Sequence, residues 1–350
     1  MKKIKVYCPM VKATAEENAQ ILQPGIQDSK HIELVHLPDA CRTHDDPQGP
    51  YVEQLAPQTS GRPKDVDVMI IHGCMQPEQA IVWREQYPDI PAIIMDYKDE
   101  LPLFHPKVRV LTHFKRNMAI RQWGKPIGIH NYGNHNVIHS PYCVRNDILK
   151  AIENEKIKTR DVDVSCFFDP KEIDITNHVN TDVIDRNWNY QVTLGRHLGW
   201  TGTRVLVATT LQESKIYMHN GLNMHIGKTG VGQREGRTNP QKQYVNIMAR
   251  SKIIVSATPD GWEGDYRLME ALSSGAMVLH NRMIQPPVGL EDGKHWVIYD
   301  DHMDMLDKVN FYSKNTELAR KIGIEGKKYV LNNHMPHHRV ESWLRTVNIL

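Results

Sequence analysis

Arg267 and Glu270 stand three residues apart in the run Asp260-Gly-Trp-Glu-Gly-Asp-Tyr-Arg-Leu-Met-Glu-Ala-Leu-Ser-Ser-Gly275. On a helix that spacing puts both side chains on one face. A guanidinium can hold a diphosphate through paired hydrogen bonds, and a carboxylate can accept hydrogen bonds from ribose hydroxyls. The pair therefore points to a site for a nucleoside diphosphate. Gly264, Asp265 and Tyr266 open the helix, where free backbone N–H groups and a partial positive charge suit a phosphate. Glu263 and Asp265 would repel a phosphate there, so they are expected to face sugar hydroxyls or to cap the helix. An isolated Arg-x-x-Glu is an ordinary surface pair worth roughly 0.3 kcal/mol. The frame lifts this one above that reading. An apolar run, Ile253-Ile-Val-Ser-Ala257, precedes it and another, Ala276-Met-Val-Leu279, follows it. The order is strand, Gly-rich turn, helix, Gly stop, strand.

Other phosphate and metal patterns fail. The run Gly221-Leu-Asn-Met-His-Ile-Gly-Lys-Thr229 has one residue too many between its glycines for a P-loop. Gly230-x-Gly232 followed by Gly236 misses the dinucleotide fingerprint. His130, His135 and His139 lie in a Gly/Asn-rich loop, and His334, His337 and His338 cluster near the C-terminus. Neither group has a cysteine or carboxylate at metal spacing, so no metal site is expected. Asp161-x-Asp163 precedes an apolar strand rather than following one, which does not suit a metal-binding loop.

The elements that must position these residues come from alternating patterns. In the first half, strands are expected at Ile4–Cys8, His31–His36, Val66–His72, Ala92–Met95 and Val108–Thr112. Helices are expected from Thr14 through about Leu22, opened by a capping box, and from Pro77 to Glu85. Residues 39–65 read as a long surface loop. In the second half, strands are expected at Val162–Phe168, Arg204–Thr209, Asn223–Ile226, Lys252–Ala257, Met277–His280 and Trp296–Tyr299. Helices are expected at Thr181–His197, Pro240–Arg250 and Tyr266–Ser274, with three more after His302. Strands alternating with helices imply parallel sheets covered on both faces. The charged stretch Asp147–Arg160 marks a boundary, giving domains 1–150 and 151–335 and a last helix over 336–350.

Composition agrees with a soluble protein of two domains. The chain has 350 residues, 40% of them apolar and 24% charged. A net charge of +2 gives no case for nucleic acid or an anionic membrane as partner. No apolar run reaches transmembrane length. The five cysteines are scattered and include no C-x-x-C, so reduced thiols in a cytoplasmic setting are expected.

The pattern strand, Gly-rich turn, Arg-x-x-Glu-Ala-x-x-x-Gly, strand resembles the donor half of GT-B glycosyltransferases. It is most similar to the CgeB-like group of the family-1 type C-terminal domain, and exostosin-like transferases have a related Arg-x-x-Glu element. The likeness continues through Gly289-Leu-Glu-Asp-Gly-Lys-His-Trp-Val-Ile-Tyr-Asp-Asp301 and Ala319-Arg-Lys-Ile-Gly-Ile-Glu-Gly-Lys-Lys-Tyr-Val330, then to His334 and Arg339. It covers roughly residues 239–344 well. In the large GT-B families a second glutamate precedes the helix glutamate with one more residue between them than separates Glu263 from Glu270.

The resemblance implies an α/β fold of two Rossmann-like domains with a cleft between them. It implies a metal-independent glycosyltransferase that moves a sugar from a nucleotide-sugar donor to a hydroxyl of a glycan or other acceptor, with no cofactor. In the C-terminal domain Glu270 would meet the ribose and Arg267 the diphosphate. Ligands of open α/β sheets bind beyond the carboxyl ends of strands, which adds Lys228, Thr229 and Thr258 to the donor side. In the first domain the same rule selects Asp96, Asp99 and His72 as candidates for the base that deprotonates an acceptor hydroxyl. It also selects His113, Lys115 and Arg116 on the acceptor side. A nucleotide-sugar epimerase and a catalytically silent nucleotide-sugar or glycan-binding protein are the alternatives.

Overall fold

A computed structural model describes residues 2–8, 21–36, 66–73, 77–97, 108–122, 125–129, 132, 136–157, 159–169, 202–217, 221–227, 241–258 and 263–350. The chain divides into two compact units. The first comprises residues 1–117, 131–140 and 335–350, and the second comprises 118–130 and 141–334.

In the first unit, β1 (Ile4–Tyr7), β2 (Ile32–His36), β3 (Val68–His72), β4 (Ala92–Asp96), β5 (Thr112–Lys115) and β8 (Val137–His139) form one parallel sheet in the order β2-β1-β3-β4-β5-β8. Every residue of β3 and β4 is buried. Val68-Met-Ile-Ile and Ala92-Ile-Ile-Met are continuous apolar runs because both faces of a parallel sheet are covered. One face packs Tyr7, Met69, Ile71 and Ile94 against Trp83 and Tyr87, carried by or next to helix α2 (Pro77–Gln86), which follows α1 (Gln23–Asp28) in the chain. Between β5 and β8 the chain makes an antiparallel hairpin of β6 (Ala119–Gln122) and β7 (Lys125–Ile129), which belongs to the second unit.

In the second unit, β9 (Val162–Cys166), β10 (Met224–Ile226), β11 (Ser251–Ser256), β12 (Met277–Asn281) and β13 (Val297–Tyr299) form a parallel sheet in the order β10-β9-β11-β12-β13. Its helices are α3 (Asn146–Asn154), α4 (Gly202–Tyr217), α5 (Lys242–Arg250), α6 (Tyr266–Ser274), α7 (His302–Lys314) and α8 (Thr316–Asn333). Val164, Cys166, Ile253, Val255, Met277 and Leu279 fill one core with Val207, Ala208 and Leu211 of α4 and Val309 of α7. The last helix, α9 (Pro336–Thr346), is part of the first unit. The architecture is α/β with two parallel sheets, as expected.

Two expected strands need correction. Arg204–Thr209 lies inside helix α4, not in a strand. Its β-branched and apolar residues look like a strand over six positions, but burial recurs at Val207, Ala208, Leu211 and Ser214 while Leu206 and Glu213 are exposed. That is the period of a helix with one face on a sheet. The strand expected at Val108–Thr112 is displaced to Thr112–Lys115, where it pairs Ile93 with Thr112 and Asp96 with Lys115. The expected helix over Thr14–Leu22 falls mostly outside the described residues, as does the one over Thr181–His197; α1 begins at Gln23.

Candidate active site

Helix α6 carries the two residues that the spacing singles out. Asp265 is its N-cap, accepting from the Leu268 N–H at 3.4 Å. Gly275, with φ of 81°, ends it in the left-handed region. Arg160 donates to the Ser274 carbonyl at 2.7 Å and so meets one of the helix's orphan acceptors. Gly264, with φ of 79°, makes the turn into the helix.

The second Asp265 oxygen faces two guanidiniums. Arg204 of α4 donates to it, and Arg267 Nη1 is 3.5 Å away. Both guanidiniums lie over the Phe168 ring, at 5.0 Å for Arg204 and 5.8 Å for Arg267. Arg204 also donates to the Ala257 carbonyl at 2.9 Å. One side chain thus joins the ends of β9 and β11 to the start of α6. Burial alone would raise the Asp265 carboxyl, but Arg204 and Arg267 hold it below the usual carboxylate range. Burial brings Arg204 down to about 10 against the pull of Asp265. Two guanidiniums share one carboxylate, so an excess positive charge sits at the N-terminus of α6, where the helix field already favours an anion.

Glu270 lies deeper and is only 1% exposed. Its Oε2 accepts from the Tyr244 hydroxyl of α5 at 2.7 Å. Its Oε1 is 3.2 Å from Arg145 Nη1. Arg145 is itself held by Asp147, at 2.6 Å and 3.1 Å, and lies over the Tyr266 ring at 5.9 Å. Burial pushes the Glu270 carboxyl above its ordinary value, opposed by Arg145 and by the Tyr244 bond. Each of the two α6 side chains keeps one buried atom unmet among the described residues: Arg267 Nε has no acceptor, and Glu270 Oε1 accepts no hydrogen bond of acceptable geometry. Leaving such groups buried and unmet costs about 1–3 kcal/mol each.

The other donor-side residues fall into place around this helix. Tyr266 packs edge-on against Tyr142 and lies 5.5 Å below the Arg267 guanidinium. Thr258, at the end of β11, is buried and bonded to Asn281 at the end of β12 through its backbone N–H (2.9 Å) and its hydroxyl. Glu263 accepts from the Ile284 and Gln285 N–H groups at 2.7–2.9 Å. It therefore ties down the loop after β12, while Asp265 does the capping. Lys228 and Thr229 lie outside the described residues. Arg204, Arg145 and Tyr244 were not found from sequence. Arg204 is hidden in a run that imitates a strand, Arg145 has no motif around it, and Tyr244 sits on a helix with no spacing that marks it.

The first unit gathers a separate polar cluster. Asp96, at the end of β4, accepts on Oδ2 from Lys115 Nζ at 2.9 Å and pairs there with His113 Nε2 at 3.0 Å. All three are buried. Burial would raise the Asp96 carboxyl, but Lys115 and His113 overcome it and hold the group well below the usual range. Asp96 is thus a carboxylate committed to an ammonium, which makes it a weak proton acceptor near neutrality. Arg116 is buried, and its N–H donates to the Asp96 carbonyl at 2.9 Å. His72 is buried at the end of β3. The glycine after it, Gly73, packs so closely that a Cβ would stand 2.8 Å from Asp96. Asp99 lies outside the described residues.

Two parallel α/β units, one with an anion-seeking helix start beside a buried carboxylate, define the class as an α/β protein with a candidate anion site. More particularly, residues 187–345 match the family model described as glycosyl transferase-like. No curated protein matches the chain. Among solved structures it is similar to HepE of Anabaena in complex with UDP, at 12% identity over the whole of both chains with a TM-score of 0.47. It is also similar to an alpha-glucosyltransferase in complex with UDP and a 13-mer DNA containing a HMU base, at 10% identity over 99% of this chain and 100% of that one, with a TM-score of 0.49. TarM is similar at 13% identity over 80% of this chain, with a TM-score of 0.42, and the chain spans about half of TarM's length (54%).

Proposed function

We propose that this protein is a glycosyltransferase whose second unit binds a nucleotide-sugar and whose first unit receives the hydroxyl acceptor. One observation carries the reading. Two side chains on one face of α6 each hold a buried polar atom without a hydrogen-bond partner among the described residues, a donor on Arg267 and an acceptor on Glu270. A nucleoside diphosphate has the matching groups, phosphate oxygens for the first and ribose hydroxyls for the second. Glu270 would then keep its Tyr244 bond on Oε2 and take a ribose hydroxyl on Oε1.

As the sugar leaves, negative charge grows on the diphosphate. The N-terminus of α6, Arg267 and Arg204 would offset that charge without a metal ion. An inverting reaction also needs a base for the acceptor hydroxyl. The ion pair with Lys115 argues against Asp96, whose part is to hold His113 and Lys115 in place, and leaves His72 and Asp99 for the task.

The test is a calorimetric and thermal-shift screen with UDP, GDP, ADP and TDP. Binding of one nucleotide family, weakened in Arg267→Ala, is expected. If no nucleoside diphosphate shifts the melting point, the donor site is wrong. Release of nucleoside diphosphate from the cognate nucleotide-sugar only when a hydroxyl acceptor is added separates transfer from epimerisation and from silent binding.

A further inference from the structure

We propose that Arg145 is a positioning residue that keeps the Glu270 carboxylate charged and aimed for the hydroxyls of the donor. The proposal rests on the donor reading above and adds a residue that lies outside the Arg-x-x-Glu helix.

The geometry carries it. Glu270 is enclosed by α3, α5 and its own helix, and the charged or titratable groups facing it are Arg145 at the N-cap of α3, Asp147 in its first turn, Tyr244 of α5, and Arg267 of α6. Tyr244 gives Oε2 a neutral hydrogen bond. Arg145 is the one cation within ion-pair distance of Glu270, at 3.2 Å, among the described residues. Its Nη1 is near enough to stabilise a negative charge, yet it is not aligned to fill Oε1, which stays open for a hydroxyl. Arg145 cannot turn toward Oε1 at no cost. Asp147 grips it through two bonds, and the Tyr266 ring lies beneath it. A fork held at two points has little rotamer freedom. The burial that lifts the Glu270 carboxyl would neutralise it further if this cation were absent. A protonated carboxyl has one fewer acceptor position for a hydroxyl.

The experiment compares wild type, Arg145→Gln, Arg145→Lys and the double variant Arg145→Gln/Glu270→Gln, with UDP and GDP as probes. Affinity is measured by calorimetry, and ligand-free thermal midpoints are measured over the same range, about pH 5.5 to 8.5. The sign follows from Glu270. Its carboxyl is raised in the folded protein and raised further without Arg145, so donor affinity in Arg145→Gln falls as pH falls. The expected loss approaches about tenfold for each pH unit below the carboxyl's pKa. Wild type and Arg145→Lys keep a flatter profile. Affinities of Arg145→Gln that parallel wild type at every pH would overturn the proposal.

The ligand-free arm stands even if neither nucleotide binds, in which case the donor reading fails separately. A buried carboxyl whose folded pKa is raised destabilises increasingly as pH rises through that value. The gap in midpoint between wild type and Arg145→Gln therefore widens toward high pH and closes in the double variant. A gap that does not change with pH would show that Arg145 does not hold the Glu270 charge.

Discussion

Asp265 is the residue around which the candidate donor site is arranged, because it caps α6 and faces both Arg204 and Arg267. Removing either arginine leaves the other paired, so the fold should survive while the grip on a diphosphate weakens. Arg204→Ala and Arg267→Ala are each expected to weaken nucleoside diphosphate binding by about 1.5–3 kcal/mol, the worth of charged hydrogen bonds, read by calorimetry. An unchanged affinity in both would remove the diphosphate from this corner. Asp96 makes the opposite case. Asp96→Asn removes the carboxylate that pairs with the buried Lys115 ammonium at 2.9 Å, and should cost about 3–5 kcal/mol of stability in urea unfolding at neutral pH. The Asp96 carboxyl is held below its unfolded value. Its contribution is therefore fully present above the ordinary carboxylate range and fades only as pH falls through the folded value. At this scale Arg267 and Glu270 were legible because their spacing sits in a strand–turn–helix–strand frame. Arg145 and Arg204 were not, because their partners lie 125 and 61 positions away in the chain and no local pattern announces such pairings.

At the scale of elements, α6 shows how closely local signals can specify a segment. Asp265 and Gly275 bracket it, and the helix runs over the residues read from sequence, Tyr266–Ser274. Gly275→Ala should cost about 1 kcal/mol from its left-handed backbone alone, measured as a shift in thermal midpoint. Gly323 is under a stricter demand. It lies where α8 crosses the end of α6 and the start of β12, and a Cβ there would sit 2.5 Å from the Gly275 carbonyl oxygen and 2.8 Å from the Met277 nitrogen. Backbone cannot yield as a side chain can, so Gly323→Ala should destabilise by about 1–3 kcal/mol, and a variant as stable as wild type would mean that α8 is free to move away. Helix α4 was misread for the converse reason. Arg204-Val-Leu-Val-Ala-Thr209 has strand-like composition, and its helical period emerges only when Leu211 and Ser214 are counted. Strand β5 is displaced from the apolar run that precedes it because three of the four residues of Thr112-His-Phe-Lys115 are polar. Those polar groups are buried only because Asp96 is there to receive two of them.

At the scale of the molecule, apolar runs without alternation announced parallel sheets, and both are present. The strand order was not legible, since it depends on which crossovers the helices make. A bound nucleoside diphosphate at a hundred times its Kd would stabilise the folded state by about 2.7 kcal/mol. Hydrogen exchange should show the added protection on α4, α6 and the ends of β9, β11 and β12, and not on the sheet of the first unit. Protection centred on β3 to β5 would move the nucleotide to the other unit.

Helix α9 lies in the first unit although it is the last helix in the chain. Val340, Trp343 and Leu344 are fully buried there. The Trp343 indole N–H donates to Ser140 at 2.9 Å, its ring lies 5.8 Å from Phe114, and Ser29 donates to Glu341 at 2.7 Å. On the ribosome, then, residues 1–140 emerge first but cannot close their own core. They must wait while residues 141–334 are made, roughly ten to forty seconds at ordinary translation speed. Through that interval the half-finished first unit exposes the apolar floor meant for α9, and a nonsense codon anywhere before residue 336 would leave it exposed for good.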